Sequence, residues 1–159
     1  MFSNLSEKFK NIFSITEVVE ADFDKDDPLL LEAADLLTAA VLISDRRHHT
    51  EAESLYRHIL QIQMDVLGDN HSMIAVSYFN LAKNLVAQSR LDEAEPLYEL
   101  AVTMSEATFG RQHQTAIAIS GSYLGFLQQK TLRELASDLE RDKKKAKDEA
   151  AEREAGGKW

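Results

Sequence analysis

Few residues in this chain have types and spacings suited to metal or acid–base chemistry. Asp22, Asp24 and Asp26 alternate like the first ligands of a calcium-binding loop. Such a loop needs Gly at its sixth position for the sharp turn and a bidentate Glu at its twelfth. Asp27 and Ala33 stand there, with Pro28 at the seventh. The trio therefore reads as a solvated acidic linker, and Asp27-Pro28 as the entry to a helix whose first turn tolerates Pro. Five histidines follow, His48, His49, His58, His71 and His113. They come without a His-Glu-x-x-His pair, paired catalytic carboxylates or a Ser–His–acid arrangement. The chain has no Cys, which removes thiol catalysis, thiolate metal sites and disulfides. No catalytic residue, metal or cofactor is expected.

Charge narrows the partners. The net charge is −9, and residues 20–36 alone carry −6. Binding to nucleic acid needs a concentrated basic surface. The one dense basic run, Lys143-Lys144-Lys145 with Lys147, is flanked by Asp142, Asp148 and Glu149. Nucleic acid is not expected. No apolar run approaches the ~20 residues that span a bilayer, so a membrane partner is disfavoured. Residues 1–19 mix acid with base and show no cleavage-site pattern, so a cytoplasmic location is expected. With 44% apolar and 28% charged residues in 159, the composition is that of one globular domain.

The elements that position these residues repeat. Glu51-Ala52-Glu53-Ser54-Leu55-Tyr56 returns 42 residues later as Glu93-Ala94-Glu95-Pro96-Leu97-Tyr98. The same offset takes Gly68 to Gly110 and His71 to His113, and aligns Ile43 with Leu85 and Leu127, Ala52 with Ala94 and Ala136, and Leu55 with Leu97 and Leu139. Internal periods of this length mark stacked repeats. Within a unit, Val76, Phe79, Leu81, Ala82, Leu85 and Val86 fall at helical spacing. Thr50 with Glu53, and Asp92 with Glu95, predict capping boxes at the next helix start. Gly68 and Gly110 stand where a helix ends and φ turns positive. The predicted helices are about 29–45, 50–67, 72–88, 92–109, 114–129 and 131–153, with one more near 2–19. His71 and His113, being periodic, point to turn geometry rather than ligation.

Asn80-Leu81-Ala82, then Arg90-Leu91-Asp92-Glu93-Ala94-Glu95-Pro96-Leu97-Tyr98, then Phe109-Gly110 and His113 resemble the tetratricopeptide repeat, in the 42-residue form found in kinesin light chains. The family's Pro after His is Ser72 and Gln114 here, and the third unit lacks the Glu-Ala-Glu-Pro-Leu-Tyr string. The resemblance implies an all-α superhelix, a solenoid of about three helix-turn-helix repeats over residues 29–140 (about 29–67, 72–109 and 114–140). An amphipathic helix at 1–20 and an acidic linker at 21–28 precede it, and a charged capping helix at 141–159 closes it. In that family the first helix of each unit lines a concave groove that holds another protein. By position the groove residues are Leu37, Thr38 and Val41, then Val76, Phe79, Asn80, Lys83 and Val86, then Gly121, Ser122 and Gly125. Gly121 and Gly125 share one helix face and leave room beside it for another helix or a ligand.

Phe2, Leu5, Phe9, Ile12 and Phe13 line one side of a helix, with Ser6, Glu7, Lys10 and Asn11 opposite. This second interaction surface has several readings: a cap on the first unit, docking on a partner, self-association or groove occupation, or a membrane-surface helix. The implied function is a non-catalytic protein–protein interaction module, an adaptor or scaffold that binds a peptide or amphipathic helix. The alternative is a homo-oligomerising structural subunit or membrane-proximal assembly factor that uses the Phe-rich helix.

Overall fold

Apolar side chains at helical spacing, broken only where the turn residues stand, give five helices in the computed structural model, which describes residues 28–156. They are α1 (Pro28–Asp45), α2 (His49–Leu67), α3 (Ser72–Ala87), α4 (Leu91–Phe109) and α5 (Gln114–Gly156). No strand occurs among the described residues. The expected helix near 2–19 and the acidic stretch up to Asp27 lie outside them. The chain divides into two units, one ending at Tyr123 and one starting at Leu124. In the first, α1 packs on α2, α2 on α3 and α3 on α4.

Small residues set these packings. Ala40, Ala52, Ala82, Ala94 and Ala101 have no exposed surface, so their helices approach backbone to backbone. Leu30, Ile59, Ile74, Leu81 and Leu85 fill the space between them and are at most 1% exposed. Each such side chain contributes roughly 1.5–3 kcal/mol by leaving water. An aromatic ladder crosses the second pair: the Phe79 and Tyr98 rings meet edge-on at 6.0 Å, and Tyr98 stacks on Tyr123 at 5.7 Å. Buried polar groups are matched across helices, as where the Ser77 hydroxyl donates to Gln63 Oε1 at 2.7 Å.

The turns repeat at the same offset as the sequence. Gly68 and Gly110 end α2 and α4 with φ of +76° and +86°. After each, a histidine caps the next helix: His71 Nδ1 accepts from the Met73 amide and His113 Nδ1 from the Thr115 amide, both at 3.2 Å. The histidine period therefore encodes a turn, as its spacing suggests. The tighter turns inside each pair use Arg47 and Ser89, 42 residues apart, at φ +67° and +62°. At both, the next amide reaches back to the last helical turn, His48 to the Ile43 carbonyl at 3.2 Å and Arg90 to the Leu85 carbonyl at 3.0 Å. This is a Schellman closure built on a residue that has a Cβ.

Two expectations are corrected. The capping boxes do not form: α2 and α4 start at His49 and Leu91, and neither N-cap, His48 or Arg90, makes a side-chain cap bond. Of the two carboxylates expected there, Glu53 pairs with arginine instead. Glu53, 8% exposed, takes Arg57 at 2.9 Å, Gln88 at 2.9 Å and Arg90 at 2.5 Å, and Arg90 also holds Glu93 at 2.5 Å. The third unit, expected to turn near residue 130, continues as the single helix α5. Gln128-Gln129-Lys130-Thr131 contains no Gly or Pro, and the apolar period runs on through it, so nothing stops the helix. Ala136 and Leu139, aligned with core positions of the other units, are exposed, as is every described side chain from Thr131 to Glu154. In this second unit Glu140 pairs with Lys143 at 2.7 Å, and Asp138 pairs with Arg141.

Left-handed backbone at a residue with a Cβ costs on the order of 1 kcal/mol. Ser89→Gly and Arg47→Gly are each expected to raise stability to urea by up to about 1 kcal/mol, less the loss from the greater freedom of unfolded Gly. A fall in the unfolding midpoint would contradict the strained turns.

Burial alone would raise the Glu53 pKa, but hydrogen bonds from Gln88, Arg57 and Arg90, with the Arg90 charge, hold it below its ordinary 4.5. A lowered carboxylate pKa contributes stability above the ordinary value and loses it as pH falls through the folded one. Glu53→Gln should therefore cost about 2 kcal/mol at neutral pH. That difference should shrink below about pH 4 as the wild-type carboxylate protonates. A difference independent of pH in urea titrations would contradict it.

Candidate functional site

The last two turns of α1, the start of α2 and the second half of α3 converge on a cleft of ≈ 310 Å³. Val41, Ser44 and Asp45 come from α1, His49 and Tyr56 from α2, and Phe79, Asn80, Lys83, Asn84 and Ala87 from α3. The helical period places them: Asn80, Lys83, Asn84 and Ala87 lie at i, i+3, i+4 and i+7, and Val41 and Asp45 at i and i+4.

The floor is aromatic and rigid. Phe79 and Tyr56 are 3% and 4% exposed, so each shows the cleft only a small part of its surface while the rest is core. Burial, with a smaller contribution from the Asp45 carboxylate, pushes the Tyr56 hydroxyl up to about 12, which keeps it neutral at physiological pH. One wall is a chain of hydrogen bonds. The Gln88 amide donates to Asn84 Oδ1 at 2.8 Å, Asn84 donates to Ser44 Oγ at 3.3 Å, and Ser44 Oγ lies 3.3 Å from His49 Nδ1. The rim is charged: Lys83 Nζ sits 5.3 Å above the centre of the Phe79 ring, in the range of a cation–π contact. Asp45 is exposed beside it. Among the described residues, the half-buried Asn80 side chain makes no hydrogen bond.

Ser44 and His49 are the one hydroxyl–imidazole pair in the cleft. A nucleophile of this kind needs the imidazole's far nitrogen held by a third group, and no described residue hydrogen-bonds it. Among the described residues there is also no group of three His, Asp or Glu able to hold a metal ion.

Of the groove residues read from the sequence, Val41, Phe79, Asn80 and Lys83 line this cleft together. Val76 is buried in the core, and Leu37, Thr38 and Val86 are half-buried and do not line it. Gly121, Ser122 and Gly125 are exposed on α5. A Cβ built on Gly121 or Gly125 meets nothing within 4 Å, so no described residue packs into the space they leave. Sequence reasoning missed Ser44, Asp45, His49, Tyr56, Asn84 and Ala87. The helical period was a usable signal for four of them, since Ser44 and Asp45 are one turn beyond Val41, Asn84 one turn beyond Asn80 and Ala87 one turn beyond Lys83. His49 and Tyr56 belong to a second helix, which a rule based on first helices omits.

No curated protein matches the chain. A family model of the tetratricopeptide repeat matches residues 30–107, a stretch that runs from α1 into α4 and contains every residue of the cleft. By that match, and by two helix pairs repeating at one offset, the chain is a tetratricopeptide-repeat protein.

Proposed function

We propose that the chain is a non-catalytic adaptor or scaffold that holds a peptide or amphipathic helix of another protein in the cleft between α1 and α3. Tetratricopeptide repeats generally mediate protein–protein interaction. The observation that carries the reading is an aromatic floor rimmed by polar groups with capacity to spare. Phe79 and Tyr56 offer apolar area, the Asn80 amide can both donate to and accept from a peptide backbone, and Lys83 and Asp45 supply one charge of each sign. A concave apolar surface with a few fixed polar groups is the usual form of a recognition site. In this reading residues 29–67 and 72–109 are two complete repeats, and α5 opens a third. The protein works in the cytoplasm; no helix among the described residues is long and apolar enough to cross a membrane.

The test must spare Phe79, whose replacement by Ala would cost about 3–5 kcal/mol as lost core. The double variant Asn80→Ala, Lys83→Glu alters only the rim. His58→Glu, on the side of α2 opposite His49 and Tyr56, is the control. Immobilised full-length protein should capture a partner from its native lysate as wild type and as His58→Glu. The rim variant should recover at least tenfold less, a loss of about 1.4 kcal/mol, with an unchanged thermal melt. Equal recovery by all three would rule out the cleft.

A further inference from the structure

The second unit, from Leu124 on, is helical over its described length and carries a row of apolar side chains that stand in solvent. Leu124, Leu132, Leu135 and Leu139 are 66%, 60%, 54% and 60% exposed. At 3.6 residues per turn they fall in one strip with exposed Gln128 and Thr131. Buried Phe126 and half-buried Lys130 lie on the opposite side of the helix. Helices in proteins take most of their stability from packing an apolar face, and a contiguous exposed apolar patch marks an interaction site.

The row matches its own copy. Counted from its middle, between Thr131 and Leu132, the positions 124, 128, 131, 132, 135 and 139 are spaced identically in both directions. A twofold interface between identical chains requires this, because each residue must meet its symmetry-related position on the other copy. Set antiparallel about that midpoint, Leu124 meets Leu139, Gln128 meets Leu135 and Thr131 meets Leu132, each pair occurring twice. The charged residues in this span, Lys130, Arg133, Glu134 and Asp138, stay off the strip. The helical period puts the first three on the far side and Asp138 at the margin, where an antiparallel copy offers uncharged Gly125. Depletion of charge is what distinguishes the centre of an interface. A parallel pair would instead set Asp138, Asp142 and Lys143-Lys144-Lys145 against themselves, which like-charge repulsion opposes. Each leucine offers on the order of 100 Å². The eight of a pair, with the uncharged side chains between them, approach the ~1,200 Å² of the smaller specific interfaces. Spacing, charge and area agree on one occupant, a second copy of this chain.

We propose that the protein forms a twofold dimer in which Leu124–Leu139 of two copies pair antiparallel about the Thr131–Leu132 midpoint. An interface of this size gives a dimer of micromolar affinity. Each assembly then carries two clefts, and a partner with two matching segments is held more tightly than one cleft alone would hold it. The pairing itself stands whatever the cleft holds.

Sedimentation equilibrium of the full-length protein over a hundredfold range of concentration should carry the mass from one chain to two. Leu132→Glu replaces an exposed side chain at the midpoint and should weaken association at least tenfold, with the melt of the dilute protein unchanged. Arg133→Ala, on the far side, should leave association as it is. Because the chain has no Cys, single introduced thiols report the orientation. Thr131→Cys, beside the midpoint, should form a disulfide-linked dimer at least tenfold faster than Asp142→Cys. An antiparallel pair holds position 142 about 30 Å from its own copy along the helix, whereas a parallel pair would set the two side by side. A monomer at every concentration, a mass above two chains, association unchanged by Leu132→Glu, or linking at 142 as fast as at 131 would each overturn the proposal.

Discussion

Glu53, buried at the joint between the two helix pairs, accepts hydrogen bonds from Arg57 of its own helix and from Gln88 and Arg90 across the joint. A carboxylate withdrawn from water is costly unless its oxygens are satisfied, and here three donors and a guanidinium charge more than offset the desolvation. The arrangement fixes the turn between α3 and α4 against the start of α2. Further along the chain the residues that build this joint change. Glu95 recurs at Glu53's place in the next unit, but Arg90's place is taken by Leu132 and that of the left-handed Ser89 by Thr131. With neither the turn nor the guanidinium, α5 continues as one helix where a further pair would have turned.

The same joint makes the cleft. Gln88 bonds Glu53 and also Asn84, and Asn84 bonds Ser44. The wall of the cleft is thus the far end of the network that joins the pairs. The floor is likewise shared, since Phe79 lines the cleft and also meets the Tyr98 ring. If the cleft binds a partner as proposed, a floor made of core and a wall made of a structural joint leave little ordering to oppose binding. In the proposed function, specificity falls to the rim residues Asn80, Lys83 and Asp45.

Much of the fold was legible because a repeat writes each signal more than once. Gly68 with Gly110 and His71 with His113 announced two turns that the backbone then makes with the same bonds. Arg47 and Ser89 occupy equivalent left-handed turns, yet neither residue type signals positive φ, so only coordinates reveal them. The third unit was misread because apolar periodicity cannot tell a hairpin from a straight continuation. Leu132, Leu135 and Leu139 keep the period while standing in solvent. Of the cleft, the α3 residues were legible because they lie on one face of one helix. The contribution of α2 was not, because it depends on where a turn of Arg46, Arg47 and His48 sends the next helix.

Amide hydrogen exchange on the full chain, alone and with its captured partner, tests the central claim most directly. A partner seated in the cleft should slow exchange in the last turns of α1, the start of α2 and residues 79–87 of α3, leaving the exposed stretch of α5 unchanged. Slowing confined to Leu124–Leu139, with those three segments unaltered, would contradict it.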